Sequence, residues 1–310
     1  MHLQRTLKKE IICSSIGLHT GRKVNMTIKP APVDTGVVFI RKDLPSALPI
    51  AAVFNNVSDT TLVTSLGVNG VSVATVEHVL SAFSGMGVDN AVVELDSFEV
   101  PIMDGSALPF VNMLKEVGTH LQGKTKKLLV IKKPVSVTER DGSAVLLPAS
   151  EFKITYEIDF RHKAIGKQSY SMSFSDEKYE KEICSARTFG FLNEVEYLQA
   201  KGLALGGSLK NAIVLDDAKI INKEGLRFPD EFVRHKILDA IGDLFLLGMP
   251  IIGHFMAHKS GHHLNNLLLR ELMKKTDSWE IVRYPDREEA VNKLASLKIP
   301  SFRILDAVQI

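Results

Sequence analysis

Apolar and polar positions along the 310-residue chain repeat with two different periods, and the switches between them mark out its elements. Residues 24–28 alternate as a half-buried strand does, and 37–40 is a second β-rich run beyond the turn-forming Asp34-Thr35-Gly36, so the two predict a hairpin. From Val73 the period lengthens. Val73, Val76, Val79, Leu80 and Phe83 follow helical spacing, with Gly85 as the expected left-handed cap, and this predicted helix carries Glu77 and His78. Residues 91–95 read as a buried strand, and 107–117 as a helix stopped by Gly118.

The second half repeats the order. After a polar stretch at 123–127 come a strand at 128–137, the turn Arg140-Asp141-Gly142 and the alternating strand 152–158. Two helices follow, 194–201 ended by Gly202 and 230–247 running from Pro229 to Gly248. Between them the small-residue loop 202–208 suits either a cover over a ligand or a plain connector. The expected fold class is therefore α+β with two similar halves. The first domain is 1–123, the linker 124–127, and the second domain 128–300 with an insert near 192–214; a tail covers 301–310.

Composition narrows the class of function. A net charge of only +2 supplies no field for a polyanion, and Lys124, Lys126 and Lys127 read as solvated linker, so nucleic acid is not an expected partner. Cys13 and Cys184 are far apart in sequence, which argues against a disulfide framework and fits a reducing compartment. The N-terminal segment is charged and then broken by Ser14, Ser15 and Gly17, unlike a secretory signal. The longest apolar stretch, 244–256, is interrupted by Gly248, Pro250 and His254 and is too short to span a bilayer. A cytoplasmic protein is expected, with the oligomeric state left open, a monomer included.

Four patterns could carry chemistry. His235, Asp239 and Asp243 recur every four residues and share one face of the 230–247 helix. Alone, that spacing describes a polar helix face or a local ion pair as well as a metal site. The apolar neighbours Phe232, Val233, Ile237, Leu238, Ile241, Leu244 and Phe245 change the balance, because they bury the acids and a buried acid needs a partner such as a cation. His78, flanked by Val76, Val79 and Leu80, could complete a His, His, Asp set with a fourth position open for water, and Glu77 could then serve as general base. Lys259-Ser260-Gly261-His262-His263 could present a histidine from a loop or be a surface pair. Ala186-Arg187-Thr188-Phe189-Gly190-Phe191 offers a hydroxyl and two aromatics, or a strand edge.

Taken together, Val76-Glu77-His78-Val79-Leu80-Ser81-Ala82, Ser185 to Phe191, Phe232 to Asp243 and Lys259-Ser260-Gly261-His262 closely resemble the UDP-3-O-acyl-N-acetylglucosamine deacetylases of lipid A biosynthesis. Gly17-Leu18-His19-Thr20-Gly21 and Pro101-Ile102-Met103-Asp104-Gly105-Ser106 extend the likeness over roughly residues 1 to 300. The resemblance implies two layered domains packed helix to helix with a metal between them, and zinc-dependent hydrolysis of the N-acetyl amide of a UDP-linked, acylated glucosamine, the committed step of that synthesis. It implies Zn2+ on His78, His235 and Asp239. Glu77 would be general base and His262 general acid, with Asp243 orienting His262 and Thr188 donating to the oxyanion. It also implies Lys236 and Phe189 at the diphosphate and sugar, His19 at the mouth, and an acyl passage in the insert, where Leu192, Val195, Leu198, Ala204 and Val214 serve equally as helix core. Preferred acyl length and the metal loaded in the cell, Zn2+ or Fe2+, are not written in the sequence. Two rivals remain: a zinc amidase of another N-acetylated sugar or a peptide, and a non-catalytic nucleotide-sugar binder.

Overall fold

The first half builds a five-stranded sheet in the order Ile11–Ile16, Lys23–Pro30, Ala91–Leu95, Val37–Arg41 and Ile50–Ala51. These positions come from a computed structural model that describes residues 3–45 and 48–283. The expected hairpin is corrected here. Lys23–Pro30 and Val37–Arg41 do not pair with each other, because Ala91–Leu95 lies between them, antiparallel to the first and parallel to the second. Ala91, Val93 and Leu95 are buried on one face of this central strand, whose backbone is paired on both edges.

Among the described residues six α-helices accompany the sheets: α1 (Glu77–Met86), α2 (Leu108–Val117), the short α3 (Asp176–Lys178), α4 (Leu192–Ala200), α5 (Glu231–Phe245) and α6 (His262–Lys274). α1 starts later than its apolar period does, since Val71–Val73 is strand, and its left-handed cap is Gly87 at φ +67 rather than Gly85. Gly85 is small for another reason. A Cβ there would lie 2.0 Å from the Tyr179 ring. α6 was not foreseen, because His262 reads as a loop residue when the chain is scanned for glycine, whereas Gly261 is the N-cap of this helix.

The second half gathers Val135–Glu139, Gly142–Leu147, Ile251–His258, Lys127–Ile131 and Trp279–Arg283 into one sheet, which Phe152–Asp159 and Lys167–Ser173 extend from Ile251–His258. The single strand expected at 128–137 is broken at Pro134 into two. α5 rests on Phe152–Asp159 and Lys167–Ser173, α6 on Val135–Glu139 and Gly142–Leu147, and α1 packs along α5. The layering is sheet and helix against helix and sheet, as the α+β class requires.

Two further expectations meet the structure differently. The stretch read as solvated linker is strand on both sides of Lys126, whose ammonium is buried 2.8 Å from Asp89 and donates to the Gly87 carbonyl; an opposite charge and a carbonyl make that burial tolerable. The end of the second domain at 284–300 and the tail 301–310 lie outside the described residues. Among the described residues no helix is long and apolar enough to cross a membrane.

Candidate metal and hydrolase site

α1 and α5 approach so closely at one point that a Cβ on Gly242 would lie 2.0 Å from the Glu77 carbonyl oxygen. Glycine is therefore required there, and the contact sets the first turn of α1 against the last turn of α5. Glu77 and His78 on one helix thus face His235, Asp239 and Asp243 on the other. All five are buried.

The nitrogens of His78 and His235 and a carboxylate oxygen of Asp239 lie within 4.8 Å of one another. Asp239 Oδ1 is 3.5 Å from His78 Nε2 and 3.3 Å from His235 Nε2, and the two rings stand nearly perpendicular at 88°. Ligands about 2.0–2.1 Å from a tetrahedral ion are separated by about 3.3 Å, so the spacing fits a metal. Asp239 Oδ1 has no hydrogen-bond partner although it is buried. An acceptor left bare between two imidazole nitrogens is what a cation site needs and a polar helix face does not.

The surroundings tune these groups. His235 Nδ1 lies 3.1 Å from the Ala186 carbonyl, which assigns the proton to Nδ1 and leaves the Nε2 lone pair for the ion. Burial pushes the His235 pKa down to about 3, against the pull of Asp239, so the ring is neutral at physiological pH. Burial disfavours the Asp239 carboxylate, yet His235 and the Lys236 ammonium, 2.7 Å from Oδ2, hold it well below the usual range. Ala186 is itself fixed by its neighbour Arg187, whose guanidinium makes a buried ion pair with Glu231 at 2.9 Å. A strained residue precedes the helix: Thr75 is β-branched yet sits at φ +59, and its buried hydroxyl has no partner.

Glu77, which precedes His78, lies close to His262. His262 Nδ1 is 2.9 Å from Asp243 Oδ2, and its Nε2 is 3.9 Å from Glu77 Oε1. Burial alone would lower the His262 pKa, but Asp243 and then Glu77 outweigh it and raise it to about 9. Burial raises Glu77 above the ordinary glutamate value, with His262 and His78 working against it. The arrangement offers one proton acceptor and one proton donor side by side.

The structure brings some predicted residues to this centre and leaves others apart. Phe189 packs edge-on to His235 at 6.3 Å between centroids, and Thr188 is half-buried beside it. Lys236 is engaged with Asp239. Val195 and Val214 both flank Gly190, the first by packing and the second by strand register. Leu192 is 38% exposed and α4 has no buried residue, so α4 is not the helix core that its apolar residues could have formed. His19 is buried, its Nδ1 accepts from the Ala204 N–H at 3.4 Å, and its Nε2 has no partner. That pair joins the N-terminal loop to the insert. Sequence reasoning missed Thr64 and Asn265, which donate to the two oxygens of Asp243 at 2.6 and 2.8 Å.

Comparison with known proteins accords with this geometry. A family model described as UDP-3-O-acyl N-acetylglycosamine deacetylase matches residues 4–274. The chain is 57% identical to the UDP-3-O-acyl-N-acetylglucosamine deacetylase of Syntrophus aciditrophicus (strain SB), with 99% of each chain covered. It is 53% identical to the proteins of the same name from Hahella chejuensis, covering 93% of this chain and 96% of that one, and from Saccharophagus degradans, covering 93% and 95%.

Proposed function

The chain belongs to the UDP-3-O-acyl-N-acetylglucosamine deacetylase family, a family of metalloenzymes, and from that premise we propose how its own residues carry out the hydrolysis. It is an amide hydrolase of lipid A synthesis that turns UDP-3-O-acyl-N-acetylglucosamine into the free amine and acetate. The observation that carries the mechanism is the convergence of His78, His235 and Asp239, with Glu77 next to His78 in the chain and 3.9 Å from His262.

We assign Zn2+ to the three ligands, because two imidazoles and a carboxylate suit it. When bound, the ion supplies Lewis acidity to the attacking water and the amide carbonyl. Glu77 Oε1 takes the water's proton as oxygen bonds to the carbonyl carbon. The Thr188 hydroxyl donates to the oxygen on which negative charge develops. His262, protonated and held by Asp243, gives its Nε2 proton to the sugar nitrogen as the carbon–nitrogen bond breaks. An amine is a poor leaving group until it is protonated, which is why a histidine that keeps its proton to about pH 9 suits the role.

For substrate, we place the sugar against Phe189 and the diphosphate toward Lys236, whose charge also keeps Asp239 ionised. The acyl chain is assigned to Leu192, Val195, Ala204 and Val214, with His19 at the mouth beside Ala204. Incubation of the purified protein with UDP-3-O-acyl-N-acetylglucosamine should release acetate, stop when the metal is chelated and resume when zinc is returned. Release of acetate from simple N-acetylhexosamines, with the nucleotide sugar untouched, would overturn the substrate.

A further inference from the structure

Thr64 lies immediately before the strand Ser65–Val68, is 1% exposed, and touches Glu77 and the carboxylate that holds His262. Its backbone N–H donates to Glu77 Oε2 at 3.1 Å, and its hydroxyl donates to Asp243 Oδ1 at 2.6 Å. Its carbonyl accepts from the Val76 N–H at 3.3 Å, which ties it to the start of α1. One residue therefore grips the carboxylate of the base and the carboxylate that carries the acid, although Thr64 and Asp243 are 179 positions apart.

The consequence for Asp243 follows from counting its acceptors. Oδ2 receives His262 Nδ1 and the Asn265 amide, and the Ser260 hydroxyl, donating to Asn265 Oδ1, sets which way that amide points. Oδ1 receives the Thr64 hydroxyl. Without that donor a buried carboxylate oxygen is left bare, and the group can rotate about its Cβ–Cγ bond to recover a partner. Rotation would carry Oδ2 away from His262, and the imidazole would lose the aim of its Nε2. For Glu77, the Thr64 N–H occupies Oε2 and leaves Oε1 turned toward His262.

We propose that Thr64 is a positioning residue for the deacetylation: its hydroxyl fixes Asp243, and through it His262, while its backbone N–H fixes the Glu77 carboxylate. The proposal rests on the roles given above to Glu77, Asp243 and His262. Thr64 hydrogen-bonds to Glu77, Asp243 and Val76 and not to His78, His235 or Asp239, and it is not among the residues assigned to the substrate, so its effect belongs in turnover and not in binding.

The test compares Thr64→Val, which keeps shape and backbone but loses the hydroxyl, with Thr64→Ser, which keeps the hydroxyl. Thr64→Val should lower kcat at least about tenfold with KM and metal content within about twofold, as expected when a proton-transfer group is displaced. Thr64→Ser should recover most of kcat. In substrate-free protein, the nitrogen-bound proton resonance of His262 Nδ1 should persist in Thr64→Ser and broaden or vanish in Thr64→Val. In an Asp243→Ala background Thr64→Val should cost nothing further. Should Thr64→Val not fold, Thr64→Cys keeps the size with a weaker donor and should fall between. Unchanged kcat in Thr64→Val, equal losses in the Val and Ser variants, or additive losses with Asp243→Ala would each overturn the proposal. Failure of the wild-type protein to deacetylate would instead remove the assigned reaction, and the His262 resonance would still report whether Thr64 holds Asp243.

Discussion

Glu77 and His262 lie 3.9 Å apart, and the roles proposed for them ask for opposite protonation states, one empty and one full. The pH dependence of turnover follows from their shifts. Activity should rise as Glu77 loses its proton, above the ordinary glutamate value because burial raises its pKa, and should fall as pH passes about 9, where His262 loses its own. The two titrate as a coupled pair, so the limbs belong to the pair, but His262→Gln should abolish the high-pH limb, and a limb that survived it would acquit His262. The same shift bears on stability. His262 has a folded pKa above its unfolded value of 6.5, so its contribution is complete below that pH and is lost as pH rises through about 9. Denaturant titrations should show wild type weakening across that window and His262→Gln staying flatter. Glu77→Ala should retain the metal and lose at least about a hundredfold in kcat, whereas His78→Ala and His235→Ala should lose the metal itself, as metal analysis would read. The spacing of His235, Asp239 and Asp243 along one helix face was legible in the sequence, but it described a polar face as well as a metal site, and His262 read as a loop residue; the roles came from the family resemblance. Thr64 and Asn265 were not legible, since a buried threonine or asparagine has no periodic signature and gains its role only from a partner far along the chain.

The helix pair α1 and α5 is what converts those residues into a site. Gly242→Ala would force a methyl against the Glu77 carbonyl, so the helices must part. The expected loss is about 1–3 kcal/mol of stability, as for other overpacked contacts, with a fall in kcat from the displaced base. Urea unfolding with parallel kinetics would check it, and an unaltered midpoint would mean the helices can slide. Periodicity located both helices, but their contact depends on the absence of a side chain, which a hydrophobic pattern does not encode. The missed pairing of Ala91–Leu95 has a similar origin: a strand at the centre of a sheet advertises its burial but not its neighbours. Gly85 and Gly87 are indistinguishable as helix stops in sequence. Only the Tyr179 ring, which reaches Gly85 from the other half, tells them apart.

At the scale of the whole molecule, the candidate ligands come one from the first half and two from the second, so an ion held by all three ties the halves together. Removing it should lower the thermal midpoint by mass action, and added zinc should restore it in a concentration-dependent way, with about 2.7 kcal/mol expected at a hundredfold excess over Kd. A midpoint indifferent to chelation would place the ion elsewhere. The duplicated order of elements made the α+β class readable before any coordinates. Charge implies solvent in sequence, whereas the Asp89 carboxylate and the Gly87 carbonyl in the first half make the burial of Lys126 acceptable.

The distance along the chain between Glu77 on α1 and His262 at the head of α6 sets a timetable for synthesis. At about 5–20 residues per second, the proposed base leaves the ribosome roughly 10 to 40 seconds before the proposed acid. Throughout that interval the nascent chain can bury its first sheet but cannot hydrolyse anything, so acetate release marks the last stage of assembly rather than the first.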